Sequence, residues 1–87
     1  MIKQKLILIS ENKNLYNFHR IYKIYDYKII FKVKTKDIKN SLIVILLKNN
    51  KHIITFFNID YINRKQKLKE ILKYIERRQS FENGRFK

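Results

Sequence analysis

The stretch that decides the fold occupies residues 42–59 and reads LIVILLKNNKHIITFFNI. Apolar runs on both sides flank the polar sequence KNNK. Asparagine tolerates the left-handed backbone that a two-residue type I′ turn requires at both central positions, so Asn49 and Asn50 predict a β-hairpin. With the turn at these two residues, Leu46 should face Ile53 across the hairpin.

Two segments before this hairpin also have the composition of β-strands. The run LILI at residues 6–9 is short and wholly apolar, which is typical of a strand covered on both faces. Residues 21–35 are rich in Ile, Tyr, Phe and Val with period two, and a bend is expected near Asp26. The alternation predicts two opposite strand faces: Ile29, Phe31 and Val33 on one, and Lys28, Ile30, Lys32 and Lys34 on the other.

The clearest helix follows the hairpin, from about residue 60 to residue 79. Its apolar residues recur at helical spacing, and Asp60 is placed to cap its N-terminus. The predicted buried stripe consists of Leu68, Ile71, Leu72 and Ile75. A short helix near residues 12–20 is an alternative to a loop that leads into a strand, because Leu15, Phe18 and Tyr22 also have helical spacing.

These elements predict an α+β fold, in which a small, mainly antiparallel sheet of three to five strands is covered on one face by a long C-terminal helix. A chain of 87 residues has room for one domain. We expect this domain to comprise residues 1–79, followed by a basic and aromatic tail at residues 80–87. The longest apolar run has six residues, too few to span a membrane, and no signal peptide is evident, so we expect a cytoplasmic or organellar-matrix protein.

Positive charge is the most prominent feature of the composition. The 21 Lys and Arg residues against 7 Asp and Glu residues give a formal net charge of +14. Such an excess points to a polyanionic partner, either nucleic acid or an anionic membrane surface. Codon bias is an alternative source, since abundant Ile, Lys, Asn, Tyr and Phe without Ala or Pro are typical of an AT-rich genome. That bias would not deplete Asp and Glu, so it does not by itself explain the excess.

Two basic surfaces are candidates for binding nucleic acid through its phosphates. The first, here named the lysine comb, lies on one strand face, where side chains repeat every ~7 Å and can follow a phosphate backbone. A solvated sheet face, or an edge strand protected by lysines, explains the comb about equally well. Its members are Lys28, Lys32 and Lys34, with Lys36 prolonging the row.

The second candidate, here named the helix ridge, consists of Lys65, Lys69, Lys73 and Arg77. Like charges four residues apart lie together on a helix surface and repel, where a purely structural helix would interleave acids. The ridge is therefore the stronger functional signal. The same helix carries three further candidate phosphate-binding residues, Arg64, Lys67 and Arg78.

Aromatic residues interleaved with cations are typical of proteins that bind single-stranded nucleic acid. Most of the six Tyr and six Phe are needed for the core, and the candidates for exposure are Tyr16, Tyr22, Tyr25, Tyr27 and Tyr74. If residues 11–20 are helical, the order helix, three strands, helix is similar to that of double-stranded RNA-binding domains. The lysine cluster of those domains would correspond to Arg64-Lys65-Gln66-Lys67. The glycines and the Ala-rich helix of that family are absent here.

Features that would indicate catalysis or metal binding are missing. The chain has no Cys, its only histidines, His19 and His52, are far apart, and its carboxylates are scattered. We therefore expect no enzyme, no cofactor and no metal site. The leading hypothesis is an RNA-binding accessory or structural component of a ribonucleoprotein such as a ribosome. The alternatives are a virus- or mobile-element-encoded module that binds and inhibits an acidic protein, and peripheral membrane association through the basic helix.

Overall fold

The computed structural model describes residues 5–14, 17–33 and 42–84, with side chains described as far as Phe81. These residues form β1 (Ile7–Asn12), β2 (His19–Ile24), β3 (Tyr27–Val33), β4 (Leu42–Lys48), β5 (Lys51–Ile59), a 3-10 turn (Tyr61–Asn63) and α1 (Arg64–Gly84). The strands pair antiparallel in chain order, and α1 packs on one face of the sheet. The predicted α+β fold, with a C-terminal helix on a mainly antiparallel sheet, is confirmed.

The β4–β5 hairpin turns where the sequence predicts. Asn49 and Asn50 have φ angles of 52° and 64°, the left-handed conformation of a type I′ turn. The register shifts two residues before the turn, so Leu46 faces Ile54 and the predicted pairing of Leu46 with Ile53 is wrong. A β-bulge causes this shift because it places one extra residue on one strand against the partner strand.

The segment at residues 21–35 is divided by a tight turn at Tyr25 and Asp26, as the expected bend near Asp26 indicates. In β3 the predicted alternation is confirmed, since Ile29 and Phe31 are buried and Lys32 is exposed. The backbone amide of Asn49 donates to the carbonyl oxygen of Asp26 at 2.8 Å. This bond holds the two hairpin turns together at the same end of the sheet.

The first strand is an edge strand, and the prediction that it is covered on both faces is wrong. Ile7, Leu8 and Ile9 are 54%, 46% and 47% exposed. A helix is ~10 Å wide and strands lie ~4.8 Å apart, so one helix covers two or three strands of five. The apolar run LILI predicts that these residues form a strand. It does not predict that the strand lies at the edge, because that position depends on the order in which the strands pair.

The alternative helix near residues 12–20 is also wrong where the structure describes it. Residues 12–14 and 17–20 contain the end of β1, a loop and the start of β2. The structure shows the other alternative, a loop that leads into a strand. The resemblance in element order to double-stranded RNA-binding domains therefore fails, because it required a helix before the strands.

The C-terminal helix is longer than predicted. It begins at Arg64 after the 3-10 turn and continues through Gly84, so the predicted end at residue 79 is wrong and the first residues of the proposed tail are helical. Asp60 has an extended backbone and its side chain makes no capping hydrogen bond. The division into a domain and a tail stays a prediction.

The core lies between α1 and the sheet face that α1 covers, here named the inner face. Its members are fully or almost fully buried: Phe18, Ile24, Tyr27, Ile29, Phe31, Leu42, Val44, Leu46, Ile71 and Ile75. The opposite, outer face presents partly buried apolar residues such as Ile30 and Ile45, with lysines beside them. Because α1 covers only the inner face, the outer-face lysines Lys28 and Lys32 lie on the other side of the sheet from the cations of the helix.

Candidate nucleic-acid interface

The four residues of the helix ridge are all exposed, whereas Ile71 and Ile75 of the same helix are buried. None of the four forms an ion pair with an acidic side chain in the part of the chain that the structure describes. The sequence pattern also predicts a ridge opposite the whole apolar stripe, but Lys65 and Lys69 line the same cleft as Leu68 and Leu72 of that stripe. Whether the ridge binds nucleic acid stays a prediction.

Two other predicted cations of α1 lie on its β5 side and already have partners. The Nζ of Lys67 is 2.9 Å from a carboxylate oxygen of Glu70 and 4.5 Å from the centroid of the Phe56 ring. The guanidinium of Arg78 is 6.0 Å from the centroid of the Tyr74 ring. Because these charges are engaged by α1 and β5, they are weaker candidates for phosphate binding than the ridge.

The lysine comb lies on the outer face, on the other side of the sheet from α1. Lys28 is partly buried and Lys32 is exposed, and Lys28 faces Lys23 of β2 across the strand pair. The structure therefore does not bring the comb and the helix ridge together. The remaining predicted members of the comb, Lys34 and Lys36, lie outside the described residues.

A cleft of about 290 Å³ opens between the N-terminal half of α1 and the inner face of β2 and β3, and we name it the basic cleft. Leu68 and Leu72 of α1 form its apolar side. Its aromatic floor consists of Phe18, Tyr22 and Phe31, and its cations are Arg20, Arg64, Lys65 and Lys69. The first two residues of the helix ridge thus form one wall of this cleft.

Arg20 is the cation that the sheet contributes to the basic cleft, and the sequence analysis did not identify it. Its Nε donates to a carboxylate oxygen of Glu11 at 2.7 Å, and its guanidinium lies 5.7 Å from the centroid of the Phe18 ring. Burial disfavours the charged form, but hydrogen bonding and charge attraction from Tyr22 and Glu11 outweigh it, so the pKa of Arg20 lies above its usual value. The alternation of Arg20, Tyr22 and Ile24 along β2 is the signal that could have placed Arg20 on the inner face.

Arg64 stands at the base of the same cleft, where α1 begins. Its guanidinium stacks on the Tyr61 ring at 4.0 Å from the centroid, and one terminal nitrogen donates to the Tyr61 carbonyl oxygen at 2.9 Å. Its Nε is buried and has no hydrogen-bond partner among the described residues. The guanidinium of Arg64 is therefore anchored on Tyr61 by one hydrogen bond and one ring contact.

On the opposite side of α1 lies a second cleft of about 290 Å³, which we name the apolar cleft. It is bounded by β5, an edge strand whose Ile53, Ile54 and Phe57 are 42%, 42% and 58% exposed. Ile71 and Tyr74 of α1 form the other wall.

The tyrosines expected at the surface are distributed unevenly. Tyr74 is 41% exposed, Tyr22 and Tyr25 are partly buried, and Tyr16 lies outside the described residues. Tyr27 is only 2% exposed, so its predicted exposure is wrong. It falls at the first position of β3 on the inner face, where it packs in the core between the sheet and α1.

The two histidines are engaged in separate hydrogen bonds. His19 Nε2 lies 2.9 Å from Ser10 Oγ, and His52 Nε2 lies 2.7 Å from Thr55 Oγ1. Residues 5–14, 17–33 and 42–84 contain no group of three side chains suited to hold a metal ion. In the same ranges, no helix is long and apolar enough to cross a membrane.

No protein-family model matches this chain, and searches of curated proteins and of solved structures found no match.

Proposed function

We propose that this protein binds nucleic acid through phosphate contacts, with RNA favoured over DNA, as an accessory or structural component of a ribonucleoprotein. The observation that carries the proposal is the helix ridge, a row of exposed cations without acidic partners in the described residues. Lys65, Lys69, Lys73 and Arg77 form three like-charge pairs at four-residue spacing, each unfavourable by a few tenths of a kcal/mol. A polyanion lying along the row would turn this repulsion into attraction.

The length of the ridge suits a nucleic acid. Twelve residues separate Lys65 from Arg77, which corresponds to about 18 Å along a helix axis. Double-stranded DNA carries one negative charge per ~1.7 Å of its axis, so several phosphates lie within reach of the row. RNA is favoured because its loops and bulges expose unpaired bases that aromatic side chains can contact, and the basic cleft adjoins the ridge.

The test compares two triple variants that remove the same charge from opposite sides of the sheet. One variant replaces Lys65, Lys69 and Lys73 by Gln, and its matched control replaces Lys23, Lys28 and Lys32 by Gln. The probe is a fluorescent single-stranded RNA oligonucleotide, titrated at several salt concentrations. Four to six phosphate contacts in the unmodified protein should give a slope of log K against log salt of about −3 to −4.

The ridge variant should bind more weakly, and the magnitude of its slope should fall by up to about 2, at ~0.7 per lost phosphate contact. The outer-face control should keep its slope. If the salt slope becomes shallower in the control variant and is unchanged in the ridge variant, the binding surface is the outer face with its lysine comb. If the unmodified protein binds RNA with an affinity that does not change with salt, or does not bind at all, the proposal is wrong.

A second candidate function is favoured by the exposed edge of β5. From His52 to Ile59 the strand carries no acidic or Lys/Arg residue, and Ile53, Ile54 and Phe57 are exposed. Among the described residues β5 is the last strand of the sheet, and an edge strand of this kind can accept a strand from another protein. The net charge of +14 would select an acidic partner. In this alternative a virus- or mobile-element-encoded module binds and inhibits that partner.

One purification distinguishes the two candidates. Nucleic acid that co-purifies with the protein and is removed by high salt gives a high ratio of absorbance at 260 to 280 nm, which supports RNA binding. An acidic protein that stays bound at high salt, and that is lost when Ile53 and Phe57 are replaced by Lys, supports strand docking at β5. Lysines on an edge strand prevent such pairing.

A further inference from the structure

We propose that the basic cleft holds one unpaired base of a single-stranded nucleic acid, with the adjoining phosphate bound between Arg20 and the first two residues of the helix ridge. The inference rests on the proposed function and makes it more specific. It assigns a preference for single strands over duplexes to a defined site, whereas phosphate contacts along the ridge alone would not distinguish the two.

The floor of the basic cleft offers a fixed aromatic surface. Tyr22 and Phe31 meet edge to face, with ring centroids 6.0 Å apart and an interplanar angle of 85°. Phe18 makes a similar contact with Tyr61 at 5.6 Å and 74°. Phe18 and Phe31 are buried and Tyr22 is only partly buried, so Tyr22 is the ring that a base can reach. Bases of any sequence stack on such rings because every base has a π-face.

Cations come to this cleft from both layers of the fold. Arg20 comes from β2, and Lys65 and Lys69 come from α1. Arg64 also lines the cleft, where its guanidinium stacks on the Tyr61 ring. Cations around an aromatic floor match the two parts of a nucleotide, its phosphate and its base.

The size of the cleft limits what can enter. Its volume of about 290 Å³ is just below the ~300–1,000 Å³ range of small-molecule sites, which leaves room for a single base. A base in a duplex is paired and stacked, and it can reach such a site only if it is first unpaired and turned out of the stack. Binding in the cleft should therefore favour single strands over duplexes of the same sequence.

The negative charge of Glu11 opposes the binding of a phosphate at Arg20. Its carboxylate binds Arg20 at 2.7 Å and lies 3.8 Å from the Nζ of Lys13. A phosphate bound at Arg20 would have to approach this carboxylate, and like charges repel. Replacing Glu11 by Gln removes the repulsion and keeps the shape of the side chain, so a phosphate in the cleft should bind more tightly.

The experiment measures affinity for a single-stranded RNA oligonucleotide and for the duplex of the same sequence, with three single variants. Tyr22→Leu removes the stacking ring without changing charge, and it should weaken single-strand binding about 5- to 150-fold, the range for one stacked base, with an unchanged salt slope. Duplex binding should not change. Tyr74→Leu, the matched control on the other side of α1, should change neither affinity. Glu11→Gln should tighten single-strand binding severalfold.

The outcomes separate this inference from the proposed function. If the unmodified protein binds neither probe, both are overturned. If it binds both probes equally with a strong salt dependence, and Tyr22→Leu has no effect, the cleft inference is wrong and binding along the ridge stands. If Tyr22→Leu does not fold, as judged by circular dichroism, Glu11→Gln decides, because unchanged or weaker single-strand binding by that variant overturns the inference.

Discussion

Replacing Ile75 by Ala should destabilise the protein strongly, because this residue is the part of α1 that lies deepest in the core. It is 0% exposed and packs with Ile71 against the buried residues of β3 and β4. The change removes three carbon groups at ~0.8 kcal/mol each, or about 2.4 kcal/mol of transfer free energy. The cavity left behind adds to this loss, so the expected total is about 3–5 kcal/mol.

Ile62 provides the matched control in the 3-10 turn before α1. It is 87% exposed, so the same change removes little buried surface there and should cost only a few tenths of a kcal/mol. A folded chain of 87 residues should have a total stability of about 4–13 kcal/mol. The loss at Ile75 is therefore about a quarter or more of the whole stability.

Urea unfolding followed by circular dichroism at 222 nm measures both effects. The transition of Ile75→Ala should move to lower urea with a similar slope, while that of Ile62→Ala should stay near the unmodified protein. A loss below about 1 kcal/mol at Ile75, or an equal loss at both positions, would show that α1 does not bury this face against the sheet.

Three further predictions concern the turn, the charge and the ion pair beside the cleft. Asn49→Gly or Asn50→Gly should be neutral or mildly stabilising in the same unfolding assay, because both residues have positive φ and glycine adopts that conformation without a side-chain penalty; a loss of several kcal/mol would contradict this. Raising NaCl from about 0.05 to 0.5 M should raise the thermal unfolding midpoint, because salt screens the repulsion within a chain of net charge +14. The ridge triple variant should respond less to salt, and an unchanged midpoint in the unmodified protein would contradict the reasoning. Glu11→Gln should cost about 1 kcal/mol or less of unfolding free energy, since its partner Arg20 is accessible to solvent; unfolding of this variant would show that the pair is structural.

Local features of the chain could be predicted from the sequence. The turn at Asn49 and Asn50 follows from the backbone preference of asparagine, and the burial of Ile29 and Phe31 follows from the period-two pattern of their strand. The exposure of the helix ridge and the burial of Ile71 and Ile75 follow from helical spacing. Each of these depends on residues close together in the chain, whose mutual geometry is set once the type of element is known.

Tertiary structure alone decided which elements are neighbours and which surfaces are covered. The exposure of β1 depends on its position at the end of the strand order and on the width of sheet that one helix covers. The basic cleft exists because the packing of α1 on the inner face brings Lys65 and Lys69 beside Arg20 of β2. The same packing leaves Lys28 and Lys32 on the other side of the sheet. Such arrangements follow from contacts between residues distant in sequence, which no periodicity within a single strand or helix encodes.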